Sequence, residues 1–150
     1  MVAKRLTGGN VKDTAMSLKR AYIAFDYNDL DVKENLIAQS KLPECPFELT
    51  DASLYTAVPE RWVTEARRLI GASDFVIVLC GEQTHQAKGV ATELQIAQET
   101  GKRYFLLRGS RKGSPTRPPN ARSTDEIWTF RWPTIRTLVE GGKPPPESAV

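Results

Sequence analysis

Short apolar runs alternate with helix-like patterns along most of the chain. The clearest run, residues 75–80, is apolar throughout and rich in β-branched side chains, which is typical of a strand buried on both faces of a parallel sheet. The pattern predicts strands over residues 21–25, 46–49, 75–80, 103–107 and 126–130, and helices over 29–40, 59–70, 89–100 and 133–140. The alternation predicts an α/β fold with a parallel sheet and right-handed crossovers.

The two ends of the chain lack this alternation. We expect residues 1–19 to form a flexible arm. Residues 141–150 contain three consecutive prolines and are expected to form a disordered tail, because proline excludes a helix. The chain has 150 residues and a mass of 16.7 kDa, which suits a single domain over residues 20–140.

The apolar runs and the cysteine content indicate where in the cell the protein is located. No apolar run approaches the roughly 20 residues that span a bilayer, and the first residues lack the apolar core of a signal peptide. Cys45 and Cys80 fit a reducing compartment better than a disulfide framework. The sequence therefore predicts a cytoplasmic protein with no membrane partner.

Charge is spread unevenly although the net charge is only +3. Residues 21–100 carry six basic and thirteen acidic side chains, a balance of −7, whereas residues 101–124 carry seven basic side chains and no acid. A basic stretch of this kind binds phosphates or nucleic acid, or else is a solvated loop. No aromatic residue lies between Arg108 and Arg122, so nucleic acid is the least favoured partner.

Ligands of parallel sheets bind at the carboxyl ends of the strands, and polar residues follow three of the predicted strands. Glu93 lies in the third helix among apolar neighbours, from where its side chain can lean back toward this edge. The alternative is an exposed helix glutamate. The other candidates at this edge are Phe25, Asp26, Asn28, Asp29, Asp51, Ser53, Trp62, Thr84 and His85. No zinc pattern, Walker loop, GxGxxG or G-x-S-x-G elbow is present, and no metal site is predicted.

Four stretches in order resemble the TIR-like family, especially the compact bacterial branch found in Thoeris antiphage systems. They are residues 20–29, 69–84, 90–102 and 127–133. The third reads Val-Ala-Thr-Glu-Leu-Gln-Ile-Ala-Gln-Glu-Thr-Gly-Lys and is similar to the family's V-x-x-E-[IL]-x-x-A-x-x-x-G-K helix, with Glu93 as its glutamate. The likeness covers about residues 20–140.

The resemblance implies a flavodoxin-like three-layer sandwich with a five-stranded parallel sheet in the order 2-1-3-4-5. Catalytic members cleave the nicotinamide–ribose bond of NAD, and their activity rests on the helix glutamate, here Glu93. NAD is then the substrate and no cofactor is needed. Products are ADP-ribose, a cyclic isomer or a conjugate, which in defence systems signal to a separate effector protein. Contacts between TIR domains imply a homo-oligomer.

This framework assigns each candidate an expected role. A fixed carboxylate at Glu93 would stabilise positive charge on the reacting ribose. The expected substrate contacts are Phe25, Asp26, Asp29, Asp51, Ser53, Trp62, Thr84 and His85.

One departure keeps other functions open. Catalytic relatives often carry a Trp four residues before the glutamate, whereas this chain has Gly89, which His85 or Trp62 would have to replace. The departure favours a second hypothesis, a non-catalytic TIR-like module that self-associates or binds another protein. A third is an enzyme like the nucleoside deoxyribosyltransferases, which also use a carboxylate beside ribose.

Overall fold

A single parallel sheet organises the chain. The computed structural model describes residues 18–49, 61–109 and 112–150, and within them the five strands follow the order β2-β1-β3-β4-β5. The elements are β1 (Lys19–Ala24), α1 (Leu30–Ser40), β2 (Phe47–Leu49), α2 (Trp62–Gly71), β3 (Phe75–Cys80), α3 (Lys88–Glu99), β4 (Arg103–Arg108), β5 (Ile127–Trp128) and α4 (Trp132–Val139). All neighbouring strands run parallel. The predicted fold class and strand order are confirmed.

Helices cover both faces of the sheet, which gives three layers. Side chains alternate along a strand, so β1 sends Tyr22 and Ala24 to one face and Ala21 and Ile23 to the other. We call the first the α2/α3 face and the second the α1/α4 face, after the helices whose apolar residues complete each core. Strand β3 is buried along its whole length, as its uniform apolar run predicts.

The last ten residues differ from the expected disordered tail. Ala149 forms an antiparallel bridge with Trp128 of β5. Thr129 N–H donates to the Ser148 carbonyl at 2.8 Å, and Val150 N–H donates to the Ile127 carbonyl at 2.7 Å. The expectation that the prolines exclude a helix is also wrong, because Pro146–Ser148 form a short 3-10 helix whose first turn accommodates proline. Residues 148–150 retain the backbone groups that pair with an edge strand.

The predicted N-terminal arm lies almost wholly outside the described residues. Of residues 1–19, only 18 and 19 are described, and Lys19 already belongs to β1, where it is in register with Phe47. In the part of the chain that the structure describes, no helix is both long and apolar enough to cross a bilayer.

Candidate functional site

The Glu93 side chain points inward from α3 onto the sheet. It is only 8% exposed, and the Tyr22 hydroxyl of β1 donates a hydrogen bond to Glu93 Oε2. Helix α3 presents Val90, Leu94 and Ala97 to the same core, and this spacing carries Glu93 to the buried side with them. The alternative of an exposed helix glutamate is therefore excluded.

Burial changes the protonation of this pair. Loss of solvation raises the pKa of Glu93 to about 8, although the hydrogen bond from Tyr22 opposes the rise. The pKa of Tyr22 also rises, chiefly through its burial and then through the neighbouring Glu93. At neutral pH the Glu93 carboxyl group is therefore mostly protonated in the unliganded protein.

An aromatic ring lies beside the first turn of α3. Trp62 begins α2, is half-buried, and packs against the core that contains Tyr22. Its Cη2 atom lies 3.9 Å from the point that a β-carbon on Gly89 would occupy. The indole ring of Trp62 thus lies next to Gly89, which is one helical turn before Glu93 on α3.

A second acid lies at the carboxyl ends of the strands. Asp29 is 4% exposed, and its carboxyl group packs against Gly81 after β3 and Gly109 after β4. Desolvation, followed by repulsion from Asp26 and Asp31, raises the pKa of Asp29. A side chain on Gly81 would overlap this carboxyl group, so glycine there makes room for the acid.

Asp26 is engaged in the loop after β1. Its Oδ2 accepts hydrogen bonds from the side-chain nitrogen of Asn28 at 2.7 Å and from the Asn28 backbone N–H at 3.3 Å. These bonds form an Asx-type turn that leads into α1. Asp26 thus orders the loop that ends in Asp29.

Thr84 and His85 lie in the connection between β3 and α3, where Thr84–Gln86 form a 3-10 helix. Thr84 is fully buried, and its hydroxyl accepts the Gly81 N–H at 2.7 Å, which closes the turn. His85 is exposed, and its Nδ1 lies 3.0 Å from the hydroxyl of Thr116. Thr116 also donates its N–H to the Gly81 carbonyl at 2.9 Å, so the basic segment after β4 is fastened to this loop.

The predicted site residues do not form one cluster. Glu93 and Trp62 share the α2/α3 face, whereas Phe25 packs on the α1/α4 face, with its ring centroid 4.8 Å from Lys33 Nζ. Asp51 and Ser53 lie outside the described residues. The remaining candidates, Asp26, Asp29, Thr84 and His85, belong to loops at the carboxyl ends of the strands.

Tyr22 is the residue that the sequence reasoning missed. The period-two alternation of β1 would have placed Tyr22 and Phe25 on opposite faces, and a buried tyrosine usually needs a partner for its hydroxyl. In contrast, Cys80 offers no nucleophile, because burial raises the pKa of its thiol to about 12. Among the described residues, no group of three His, Cys, Asp or Glu side chains is arranged to hold a metal ion.

Comparisons with known proteins support the fold. No family model matches the sequence, and no curated protein matches it significantly. The crystal structure of a prokaryotic SEFIR domain is similar, with a TM-score of 0.55 and 16% sequence identity over 85% of this chain and 97% of that domain. At this identity the likeness shows the fold alone, which is TIR-like. It does not support the more specific resemblance to TIR-like proteins of Thoeris systems.

Proposed function

We propose that this TIR-like domain cleaves the bond between nicotinamide and ribose in NAD, with Glu93 as its catalytic residue. The burial of the Glu93 carboxyl group against Tyr22 supports this most strongly. Glutamate is rarely buried, because removing its charge from water is costly. Acids with strongly shifted pKa values concentrate at functional sites.

The proposed reaction requires one fixed negative charge beside the ribose. Cleavage breaks the bond between ribose C1′ and the pyridinium nitrogen, and the bonding pair goes to nitrogen, so nicotinamide leaves neutral without a general acid. Positive charge develops on the ribose, and a carboxylate held beside it in a partly dry site stabilises that charge. Water, a second acceptor or another atom of the same ADP-ribose then attacks C1′ and loses a proton.

Glu93 would act in its ionised form. Its pKa of about 8 in the unliganded protein reflects desolvation. The positively charged nicotinamide ring would lower that pKa by favouring the carboxylate. Binding of NAD and ionisation of Glu93 would then reinforce each other.

Trp62 would provide the aromatic surface that position 89 lacks. Its indole lies against Gly89, 3.9 Å from the position of a β-carbon there. We assign it the stacking of the nicotinamide ring, a role that catalytic relatives give to a Trp at that position of the helix.

The resemblance extends the proposal to the fate of the product. We propose that ADP-ribose, a cyclic isomer or a conjugate signals to a separate effector protein in bacterial antiphage defence. Assembly into a homo-oligomer through TIR contacts belongs to the same proposal.

A second candidate is a non-catalytic module that binds another protein. The Tyr22–Glu93 hydrogen bond favours it, because this pair is satisfied within the core without a ligand. Glu93 also does not line the cavity of about 610 Å³ described below. On this hypothesis the pair specifies the packing of α3 on β1.

The test is the release of nicotinamide from NAD by the purified chain, followed by chromatography. We expect Glu93→Gln to lower the rate about 10²- to 10³-fold, the usual effect of losing a preorganised electrostatic group. Glu99→Gln is the matched control, because Glu99 lies on the same helix but is exposed and paired with Arg67. It should keep the wild-type rate.

Two results would overturn the catalytic proposal. One is an equal rate in the wild type and in Glu93→Gln. The other is no release by the folded wild type over a wide range of protein concentrations, which would leave the binding module. Chromatography of deoxynucleosides incubated with a free base tests for base exchange by the same carboxylate.

A further inference from the structure

A cavity of about 610 Å³ opens at the carboxyl ends of β4 and β5, on the α1/α4 face. It lies on the opposite side of the sheet from Glu93, and its size is that of small-molecule sites. Its walls come from α1, from the residues after β4 and from the residues between β5 and α4. The residues that line it are Asp31, Val32, Asn35, Arg108, Gly109, Lys112, Thr129, Phe130 and Arg131.

Positive charge converges on this cavity from two separate segments. Arg108 and Lys112 approach from the end of β4, and Arg131 approaches from the start of α4. Among the described residues that line the cavity, these three cations face a single acid, Asp31. Arg108 is oriented by a hydrogen bond from its Nη2 to the Gly113 carbonyl at 3.0 Å. Two or more converging guanidinium groups suit a phosphate, which accepts several hydrogen bonds at once.

The segment from β5 to α4 places a hydroxyl group and a helix N-terminus near the same wall. Within the described residues, the Thr129 hydroxyl is buried without a hydrogen-bond partner, although buried polar groups nearly always have one. Helix α4 begins directly after Arg131, with no side-chain cap. Its positive end therefore borders the cavity and favours an anion there.

The opposite wall of the cavity carries an acid, an amide and two apolar side chains. Asp31 and Asn35 lie one turn apart on α1 and offer a carboxylate and an amide, which pair with hydroxyl or amino groups. Val32 and the ring of Phe130 are half-buried and apolar. A bare inorganic anion would use only the basic wall and would meet Asp31 unfavourably.

We propose that this cavity binds a small organic phosphate of the nucleoside phosphate type. Arg108, Lys112 and Arg131 contact the phosphate groups. Asp31 and Asn35 receive the ribose hydroxyls. The base packs on Phe130. The proposal does not depend on NAD cleavage, since Glu93 contributes nothing to this wall.

Calorimetric titration of the full chain with ADP tests the proposal. We expect saturable binding that weakens at least tenfold in Arg131→Gln, where an exposed guanidinium is replaced by a neutral side chain. Lys143→Gln is the matched control, because it removes one exposed positive charge outside the cavity. It should bind as the wild type does.

Further titrations separate the parts of the ligand. Adenosine, which lacks phosphate, should bind at least tenfold more weakly than ADP, and so should inorganic pyrophosphate, which lacks ribose and base. The proposal is overturned if ADP fails to bind at millimolar concentration, if Arg131→Gln binds as tightly as Lys143→Gln, or if pyrophosphate matches ADP. Loss of ADP binding in Glu93→Gln alone would instead assign ADP to the other face.

Discussion

The Tyr22 hydroxyl donates a hydrogen bond to Glu93 across the interface between β1 and α3, with both side chains buried. The two residues are 71 positions apart in the chain. The bond joins the candidate catalytic residue to the strand that begins the sheet, so the protonation, stability and activity of the protein are coupled at this point.

Stability should fall as pH rises through the range in which Glu93 titrates. The folded protein holds this proton up to about pH 8, whereas the unfolded chain releases it near pH 4.3. Between these values the folded state binds more protons, so raising the pH favours unfolding. Urea unfolding at pH 5, 6.5 and 8 should show this decline in the wild type.

Glu93→Gln should remove that part of the decline, because glutamine does not ionise. Glu99→Gln should keep it. Parallel pH profiles for the wild type and Glu93→Gln would show that Glu93 does not titrate in this range.

Activity should rise with pH over the same interval if Glu93 acts as a carboxylate. The pH profile of kcat/KM reports the free protein and should rise toward about pH 8. The increase of kcat with pH should be centred at a lower pH than that of kcat/KM, because bound NAD favours the ionised form of Glu93. Initial rates of nicotinamide release between pH 5.5 and 9 measure both, and a rate independent of pH would argue against the carboxylate.

Tyr22→Phe should destabilise the protein by about 1–3 kcal/mol, because the variant leaves the buried Glu93 oxygen without its donor. The pKa of Glu93 should rise further, since the Tyr22 hydrogen bond holds it down. Tyr104→Phe is a useful comparison, as Tyr104 donates to Asp125 at 2.6 Å in a less buried position. Urea unfolding should show that Tyr22→Phe lowers the free energy of unfolding more than Tyr104→Phe does. The reverse order would contradict a stabilising role for the buried Tyr22–Glu93 hydrogen bond.

Two glycine substitutions should have opposite effects. Gly81→Ala would bring a β-carbon to 2.9 Å from Asp29 Cγ and even closer to its oxygens, and we expect a loss of about 1–3 kcal/mol. Gly71→Ala meets no atom within 4 Å at the end of α2, and we expect a gain of about 0.5–1 kcal/mol. Thermal unfolding measures both, and a stabilised Gly81→Ala would mean that Asp29 does not pack there.

Removal of residues 145–150 should lower stability by about 1–3 kcal/mol, because it breaks the hydrogen bonds to Ile127 and Thr129. The melting temperature should fall by several degrees. Glu147→Gln, an exposed change in the same segment, should leave it unchanged. An unaltered melting temperature in the truncated chain would show that the segment adds nothing to the fold.

Much of the fold could be predicted from local patterns. Strand β3 was predicted with its observed bounds, because a continuous apolar run of this length, rich in β-branched residues, is typical of a strand buried on both faces of a parallel sheet. Strand β5 proved shorter than predicted, and its partner in the last residues was missed. That pairing depends on backbone groups at a sheet edge, which leave no periodic signal in the sequence.

The site was only partly predictable. The inward direction of Glu93 follows from its spacing with Val90 and Leu94, but its contact with Tyr22 depends on how α3 crosses β1. The basic cavity also escaped prediction, because Asp31 and Arg131 lie 100 positions apart and meet only through the sheet order.

The two edges of the sheet differ, because the last residues of the chain pair with the β5 edge. At β5, a strand from another molecule would first have to displace residues 148–150. Within the described residues, β2 pairs with no strand other than β1. Growth of the sheet from one molecule into the next would therefore be directional, starting at Phe47–Leu49.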